Sequence, residues 1–379
     1  MLYLFCSAAA PLYKRDALES ISYPSEHIFR FRYAQKYVHQ DVLNGLQKFK
    51  GKQALLVFLD TVTKSDSPDF VFYPLRTVTI LRLEQSAGAI YCDFRFGEFV
   101  DYGTNARRRD LWDAFFRKQP SRPWPPGSAS DGYFVFAETQ EPPELVTESS
   151  RPYDNWNSVV NQLDQTNNLK DSTFCLVLGF YQVKRQWACG AKPYEKKLEP
   201  THNEFDSIYP IPMGQSVVLK MLLSRPSFNY SDPKSARTLT ISAGGDTFSG
   251  MSKSKIYSES RYNEDRTLLV CKRVFDTVLA TVSVEEVGNI DVRSPRLTLL
   301  TRVKVPRLVI SAVVGGVALS ALLLALDAEV VKFLSTFCWD SVQSWLDTNA
   351  KSIAAVFKLL SPIPVAFSAY LAFRKLPIK

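Results

Sequence analysis

Alternation of apolar and polar residues predicts a β-rich first region. In segment 27–33, aromatic residues alternate with Arg30 and Arg32, the period of two that puts successive strand side chains on opposite faces. Further apolar runs predict strands at 2–9, 54–59, 70–83 and 89–100. Helical spacing predicts a helix over 41–49, capped by Asp41, and another over 106–116. We therefore expect residues 1–118 to form a small mixed sheet or partly open barrel with short helices.

The next segment has the composition of a linker. Four prolines fall within residues 119–128, and proline supports neither a helix interior nor a central strand. A brief apolar run at 134–137 predicts one short strand, and residues 138–150 are acidic with two further prolines. The sequence thus predicts a linker over 119–152.

Residues 153–300 have the pattern of a second β-rich domain. Apolar residues at helical spacing predict a helix over 155–163, and residues 184–205 are interpreted as a polar loop. Strands are predicted at 173–183, 216–223, 238–242, 255–260, 267–270, 278–287 and 293–305. Short strands separated by turn residues indicate a β-sandwich-like domain.

The C-terminal part, 301–379, is predicted to be a two-helix transmembrane hairpin, so the fold class is α+β. Residues 308–326 contain no charge, and nineteen residues suffice for a helix to cross a hydrocarbon core. A second span is predicted over 353–373, interrupted only by Lys358 and two prolines. Between them, apolar residues at three- and four-residue steps predict an outer amphipathic helix over 329–346. One span followed by an interfacial helix is the alternative.

Charge gives this hairpin an orientation. The chain has 46 Lys and Arg against 38 Asp and Glu, a net charge of +8. Basic residues precede the first span and follow the second, whereas the connecting segment 327–352 holds four acidic and two basic residues. Basic flanks stay on the cytoplasmic side. We therefore expect an inner-membrane protein with both termini and the bulk of the chain in the cytoplasm.

The cysteines and the first residues agree with that compartment. The N-terminal apolar run is short and lacks a basic region before it, so a buried strand is predicted rather than a signal peptide. The six cysteines show no paired spacing, which is typical of reduced thiols.

Motifs for catalysis or metal binding are not apparent in the sequence. The three histidines are not spaced with Cys or carboxylates as metal ligands, and there is no CxxC, HExxH or phosphate-loop lysine motif. No cofactor, metal site or catalytic residue is predicted. An enzyme is retained as an alternative, because acid and base residues need not be close in sequence.

The predicted ligand site consists of arginines. Arg30 and Arg32 project from one face of a strand, and Arg107, Arg108 and Arg109 begin a predicted helix. Lys48, Lys50 and Lys52 lie beside the strand predicted at 54–59. Guanidinium groups suit phosphates, so an anionic ligand such as a nucleotide or a nucleic-acid backbone is expected. A solvated basic surface, or contact with anionic lipid headgroups, is the alternative.

Small residues in the first span predict close packing between copies of the chain. The packing set comprises Ala312, Gly315, Gly316 and Ser320. Lys358, near the outer end of the second span, either extends to the interface or faces a water-filled lumen.

The plan resembles, in architecture, bacterial immune effectors that join a cytoplasmic sensing module to a short transmembrane bundle. That resemblance implies a body that responds to an anionic ligand or protein trigger encoded nearby and gates an oligomeric pore in antiviral defence. Its expected partners are the lipid bilayer and further copies of the chain. A membrane-tethered adaptor that docks a protein, and a membrane-anchored enzyme, are the two alternatives.

Overall fold

The computed structural model is β-rich, with three sheets and a group of C-terminal helices, which confirms the α+β class. The structure describes residues 1–7, 11–64, 67–100, 106–118, 133–138, 142–143, 153–166, 168–184, 194–203, 205–213, 215–227, 237–243, 248–249, 252–256, 263–271, 278–286, 296–304, 307–325, 328–336 and 340–366.

Strands are the main regular elements among the described residues before 305. The strands are β1 (Leu2–Ser7), β2 (Ile28–Ala34), β3 (Gln53–Lys64), β4 (Ser67–Ser86), β5 (Ala89–Phe99), β6 (Val135–Ala137), β7 (Phe174–Lys184), β8 (Tyr194–Leu198), β9 (Thr201–His202), β10 (Ser207–Pro212), β11 (Ser216–Ser224), β12 (Arg237–Ala243), β13 (Phe248–Ser249), β14 (Ser252–Ile256), β15 (Asn263–Cys271), β16 (Val278–Glu286) and β17 (Leu297–Lys304). The α-helices are α1 (Pro11–Ser20), α2 (Gln40–Leu43), α3 (Ala106–Lys118), α4 (Asp154–Leu163), α5 (Arg307–Ala325), α6 (Ala328–Ser335) and α7 (Asp340–Leu360). Two short 3-10 helices cover Gln35–Tyr37 and Leu46–Phe49.

The first sheet has the strand order β2-β5-β4-β3-β1-β6. The β1–β3 pair is parallel, with Leu2 opposite Ala54, and the other pairs of this sheet are antiparallel. The β4–β5 hairpin turns at Ala87 and Gly88, both with positive φ, as a tight hairpin turn requires. The mixed sheet predicted for this region is therefore confirmed.

Two local predictions in this region were wrong. The segment 41–49 is not one helix, because α2 ends at Leu43 and a 3-10 helix follows after Gly45. The cap of α2 is His39, whose Nδ1 accepts a hydrogen bond from the Asp41 backbone N–H. The capping side chain thus lies two residues earlier than the sequence suggested.

Arg76 is a fully buried cation inside the first sheet. Its guanidinium donates to the backbone oxygens of Ser20 at 3.1 Å, Tyr23 at 2.8 Å and Gly97 at 2.5 Å. The rings of Phe96 and Phe99 lie 4.4 and 4.3 Å from it. Burial lowers its pKa to about 9, which leaves it charged at neutral pH. This cation therefore fixes the chain after α1 against β5.

The segment 21–25 is fixed by long-range hydrogen bonds as well. Trp156 of α4 donates its indole N–H to the Ile21 carbonyl at 3.0 Å, and the Val177 amide of β7 donates to the Ser22 carbonyl at 2.8 Å. The Thr298 amide of β17 donates to the Tyr23 hydroxyl at 3.2 Å. One short loop is thus joined to two strands and a helix far away in sequence.

The predicted linker contributes a strand to the first sheet. The predicted strand at 134–137 is β6, which pairs antiparallel with β1 and forms the sheet edge. Most of 119–152 lies outside the described residues. Beyond it, α4 buries Trp156, Val159, Val160 and Leu163, the apolar face that the sequence predicted.

Strands β7 to β17 form two further sheets, ordered β14-β12-β16-β17-β10-β9 and β13-β15-β11-β7-β8. The rings of Phe180 on β7 and Tyr209 on β10 are 5.0 Å apart, so strands of both sheets meet there. The polar loop predicted over 184–205 was wrong, because β8 and β9 lie within it. Strand β8 is polar since it is a sheet edge, and its Glu195 lies 2.7 Å from Lys220 of β11.

The described residues fall within two compact units. One contains 1–210, 216–269 and 279–302, and the other contains 211–215, 270–278 and 303–379. In the second unit, α5 and α6 both contact α7, and Val331 of α6 is buried with Ala350 and Ala354 of α7.

The helix boundaries of the second unit differ from the expected ones. Helix α7 begins at Asp340, so it joins part of the predicted outer helix to part of the predicted second span. It ends at Leu360, and Pro362 soon follows, in agreement with the aversion of pre-proline residues for helical angles. In α5, side chains are described from Val314 onward. Among the described residues, no helix combines the length and apolarity that crossing a membrane requires.

We predict that Arg76→Met destabilises the first unit by about 3 kcal/mol, because buried carbonyls would lose their donors. The expected fall in Tm is roughly 5–10 °C. The matched control is Arg95→Met on the same sheet, which removes a half-exposed arginine 3.3 Å from Glu26 and should change stability by about 0.5 kcal/mol or less. Equal melting temperatures for the two variants would show that Arg76 is not a stabilising element.

Candidate functional site

Arg30 does not stand alone on its strand. Its Nε lies 2.5 Å from Oδ1 of Asp93, directly opposite on β5, and its Nη2 donates to Oδ2 at 2.9 Å. This hydrogen bond raises the pKa of Arg30. The Asp93 side chain is 3% exposed and that of Arg30 is 44% exposed. The arginine therefore satisfies a buried carboxylate while keeping part of its guanidinium at the surface.

A second arginine shares the same carboxylate. Arg82 of β4 faces Asp93 from the other side and donates to Oδ2 at 3.0 Å. It also lies 3.5 Å from Glu84. Two guanidinium groups around one aspartate leave a single positive charge, which Glu84 weakens further. The pairing is bidentate for Arg30, the geometry that makes such hydrogen bonds strong.

An exposed aromatic ring covers both guanidinium groups. The Phe205 ring centroid is 4.5 Å from Cζ of Arg82 and 5.3 Å from Cζ of Arg30. A further ring, of Tyr91, is 5.7 Å from Arg30. Cation–π contacts of this kind favour planar guanidinium groups. We call Arg30, Arg82, Asp93 and Phe205 the arginine cluster.

No described contact places the other predicted arginines in this cluster. Arg32 is exposed two residues along β2, opposite Tyr91. Arg107, Arg108 and Arg109 lie in the first turn of α3, and their side chains lie outside the described part of the structure. Helix α3 packs on β1 and β4 through Phe116, whereas Arg30 and Arg32 are on the edge strand β2. The described contacts do not bring the two arginine groups together, and an anion site formed by all five stays a prediction.

The small residues predicted to pack between copies are divided between two environments. Gly316 and Ser320 are buried within one chain, and Ser320 Oγ donates to the Ser361 carbonyl at 2.5 Å. Gly315 faces open space, since no atom lies within 4 Å of where its Cβ would be. The Ala312 side chain lies outside the described part. Lys358 is exposed on α7.

The structure also contains a basic cavity. The sequence analysis named its lysines but did not predict that they line a cavity. The cavity measures about 360 Å³ and is lined by Met1, Leu2, Lys48, Phe49, Lys52 and Gln53. Its lysines are spaced four apart on a loop and attracted no motif. Nothing in the sequence indicates that Leu2 lies beside them, since that follows from the pairing of β1 with β3.

Titratable groups elsewhere have shifted pKa values because they are buried. On α1, burial raises the pKa of Asp16 to about 6 and that of Glu19 to about 7. Their ionisation therefore opposes folding increasingly as the pH rises from about 4 to about 7. Burial lowers the pKa of His27 to about 3, and its ring stacks on Tyr23 at 4.1 Å. His27 is thus a neutral core residue at physiological pH.

Neither metal ligands nor similar proteins indicate a further site. Within the described ranges, no three His, Cys, Asp or Glu side chains are grouped as a metal ion would require. No family model matches the chain. A search of curated proteins likewise found no significant match.

We predict that Arg30→Ala lowers stability by about 1–2 kcal/mol, because Asp93 would lose its bidentate partner in a buried position. Arg32→Ala is the matched control on the same strand and face, and it should change stability by less than about 0.5 kcal/mol. Thermal unfolding of both variants measures the difference. A loss as large for Arg32 as for Arg30 would contradict the structural role assigned to the Arg30–Asp93 pair.

Proposed function

We propose that this chain is a membrane-anchored effector. Its β-rich body responds to an anionic ligand or a protein trigger, and its C-terminal helices act as a transmembrane hairpin that assembles with copies of itself into a pore. The output is disruption of the inner membrane in antiviral defence. In this proposal, the sandwich-like region 153–300 passes the signal along the chain through β17, which leads to α5.

The observation that carries the proposal is the exposed apolar surface of α5. The side chains of Val314, Val317, Leu319, Leu322 and Leu324 are about half exposed or more, with Val314 at 61%. They surround the helix, while Gly316 and Ser320 form the buried stripe. A helix that is apolar on nearly all sides is typical of a protein core or a membrane.

Helix α7 supports the same interpretation. Leu359 is 79% exposed and Trp345 is 61% exposed, and Val356 lies on the exposed side as well. An apolar surface shared by two neighbouring helices exceeds what isolated exposed residues would give, so it favours contact with lipid or with other copies. A tryptophan with one apolar and one polar edge is typical of the interface of a membrane.

Self-association is proposed because of how the small residues are used. One chain buries Gly316 and Ser320 against its own helices, so these residues would close the hairpin. Gly315 is open, and small residues on an open side allow another helix backbone to approach closely. The two helices of one hairpin cannot enclose an ion-conducting pore, so a conducting state would need several copies of the chain.

We predict that Gly315→Leu prevents self-association and leaves the hairpin intact, because leucine fills the open side without a clash inside the chain. Gly316→Leu should instead disturb packing within the chain, and Val314→Leu, a conservative change beside it, should behave like the native protein. Size-exclusion chromatography with light scattering in detergent measures assembly, and a voltage-sensitive dye measures depolarisation of expressing cells.

The expected result is a native oligomer whose expression depolarises cells, and a Gly315→Leu variant that does neither. A monomeric native protein, together with undiminished depolarisation by Gly315→Leu, would contradict the pore. Binding of a protein partner under those conditions would favour the adaptor alternative. Lys358→Leu then distinguishes the two roles of that lysine, since only a lysine in a lumen would change conductance when replaced.

Orientation gives a separate prediction. With both termini cytoplasmic, a cysteine at position 340 should react with an impermeant thiol reagent added to intact cells, and one at position 376 should react only after lysis. The background carries Cys189→Ser and Cys338→Ser. The described cysteines Cys6, Cys92, Cys175 and Cys271 are buried, so they should stay unlabelled. Burial also raises the pKa of the Cys6, Cys92 and Cys175 thiols. Equal labelling at both positions from outside would contradict the hairpin topology.

A further inference from the structure

The basic cavity lies where the first strand meets the loop that leads into β3. Leu2 begins β1 and is 1% exposed, and it pairs with Ala54 just inside β3. Lys48 and Phe49 come from the 3-10 helix Leu46–Phe49, Lys52 directly precedes β3, and Gln53 is the first residue of β3. The lining residues thus include two lysines and one glutamine beside apolar residues.

The loop that carries the lysines is built into the sheet. The Gly51 amide donates to the Ile80 carbonyl at 2.8 Å, and the Ile80 amide donates to the Lys52 carbonyl at 2.9 Å. Gly51 has a φ of +76°, a conformation that glycine adopts without strain. The Lys52 amide also donates to the Phe49 carbonyl at 3.0 Å. These bonds hold Lys48 and Lys52 in place on either side of a rigid turn.

The two lysines differ in their charge balance from Arg30, Arg82 and Arg95 of the first sheet. Arg30 and Arg82 are matched by Asp93, and Arg95 by Glu26. Neither Lys48 nor Lys52 forms an ion pair with the described acidic residues. A cavity with two unmatched ammonium groups attracts an anion, and lysine binds phosphate as a point charge.

The size and the apolar lining narrow the ligand further. A cavity of about 360 Å³ falls in the range of sites for small molecules. Phe49 is half-buried in the lining, and an aromatic ring there would stack on a planar group. We propose that this cavity binds a phosphate ester with a planar body, of the mononucleotide class. The role of this cavity as the sensing site of the effector rests on the proposed function. Binding of the ligand, however, is measured without reference to pore formation.

The test is calorimetry on the full-length protein in detergent, with adenosine monophosphate as the probe and ribose 5-phosphate for comparison. Lys48 and Lys52 are exposed, so the double variant Lys48→Ala with Lys52→Ala should keep the native Tm. We expect it to weaken binding of adenosine monophosphate at least tenfold. Ribose 5-phosphate should bind several-fold more weakly than the nucleotide, because it lacks the planar base, and Phe49→Leu should remove that difference.

The matched control is Lys50→Ala. Lys50 is exposed between the two lysines in sequence but does not line the cavity, so its loss removes equal charge and should change affinity less than twofold. Binding that falls equally in Lys50→Ala would show a diffuse electrostatic effect and overturn the site. Absence of binding by the native protein to both phosphate esters at millimolar concentration would overturn it as well.

The phosphate could also belong to a lipid headgroup, and a second arm separates the two sources. The protein is placed in nanodiscs of phosphatidylcholine alone or with phosphatidylglycerol. If the lysines bind the soluble ester, the affinity for adenosine monophosphate should be the same in the two kinds of nanodisc. A loss of affinity in phosphatidylglycerol that Lys48→Ala with Lys52→Ala abolishes would assign the cavity to lipid and overturn the soluble ligand. Neither result depends on self-association or depolarisation, so the pore can fail while the site stands.

Discussion

The buried guanidinium of Arg76 is the interaction on which the β-rich body depends. A charge in a protein interior is costly unless its hydrogen bonds are satisfied, and here backbone carbonyls on both sides of the group meet that requirement. Its oxygen partners at Ser20 and Tyr23 bracket the loop after α1. Because the same loop receives the indole of Trp156 and the amide of Thr298, a local cation sets the position of elements far away in sequence.

Basic residues of the first region have two different roles. The arginines around Asp93 stabilise the sheet, whereas Lys48 and Lys52 are proposed to bind an anion. Asp93 lies between strands that each present an arginine, and the compensation is close enough that the arginine cluster has little surplus charge. Lys48 and Lys52, by contrast, form no ion pair with a described carboxylate. An abundance of basic residues is therefore a poor guide to an anion site, and the balance of local charge is a better one.

The C-terminal helices have more apolar surface than they bury within one chain. Within the part of α5 whose side chains are described, from Val314 onward, only a narrow stripe is buried, and the small residues Gly316 and Ser320 occupy it. Larger side chains such as Leu322 and Leu359 remain outside. Because these apolar side chains are exposed in one chain, we propose that lipid or further copies of the chain cover them. That dependence also makes the oligomeric state the property most worth measuring.

Features whose signal lies in neighbouring residues can be predicted from the sequence alone. Alternation predicted β2, helical spacing predicted the buried face of α4, and a charge-free run predicted the apolar helix α5. Helix α1 was passed over, although Pro11 at its first position is typical of a helix start. The polar strand β8 was not predicted because an edge strand does not require alternating apolar and polar residues. Its pairing with β7 cannot be read from the residues of β8 alone.

Which charges form ion pairs depends on how the strands come together in the folded chain. That Asp93 takes both Arg30 and Arg82 depends on the order of three strands, which no local pattern records. The placing of Leu2 beside Lys48 likewise depends on a parallel pairing between β1 and β3, whose partners are separated by about fifty residues. Sequence periodicity reports which face of an element is apolar, whereas a site is made by side chains from elements that meet only after folding.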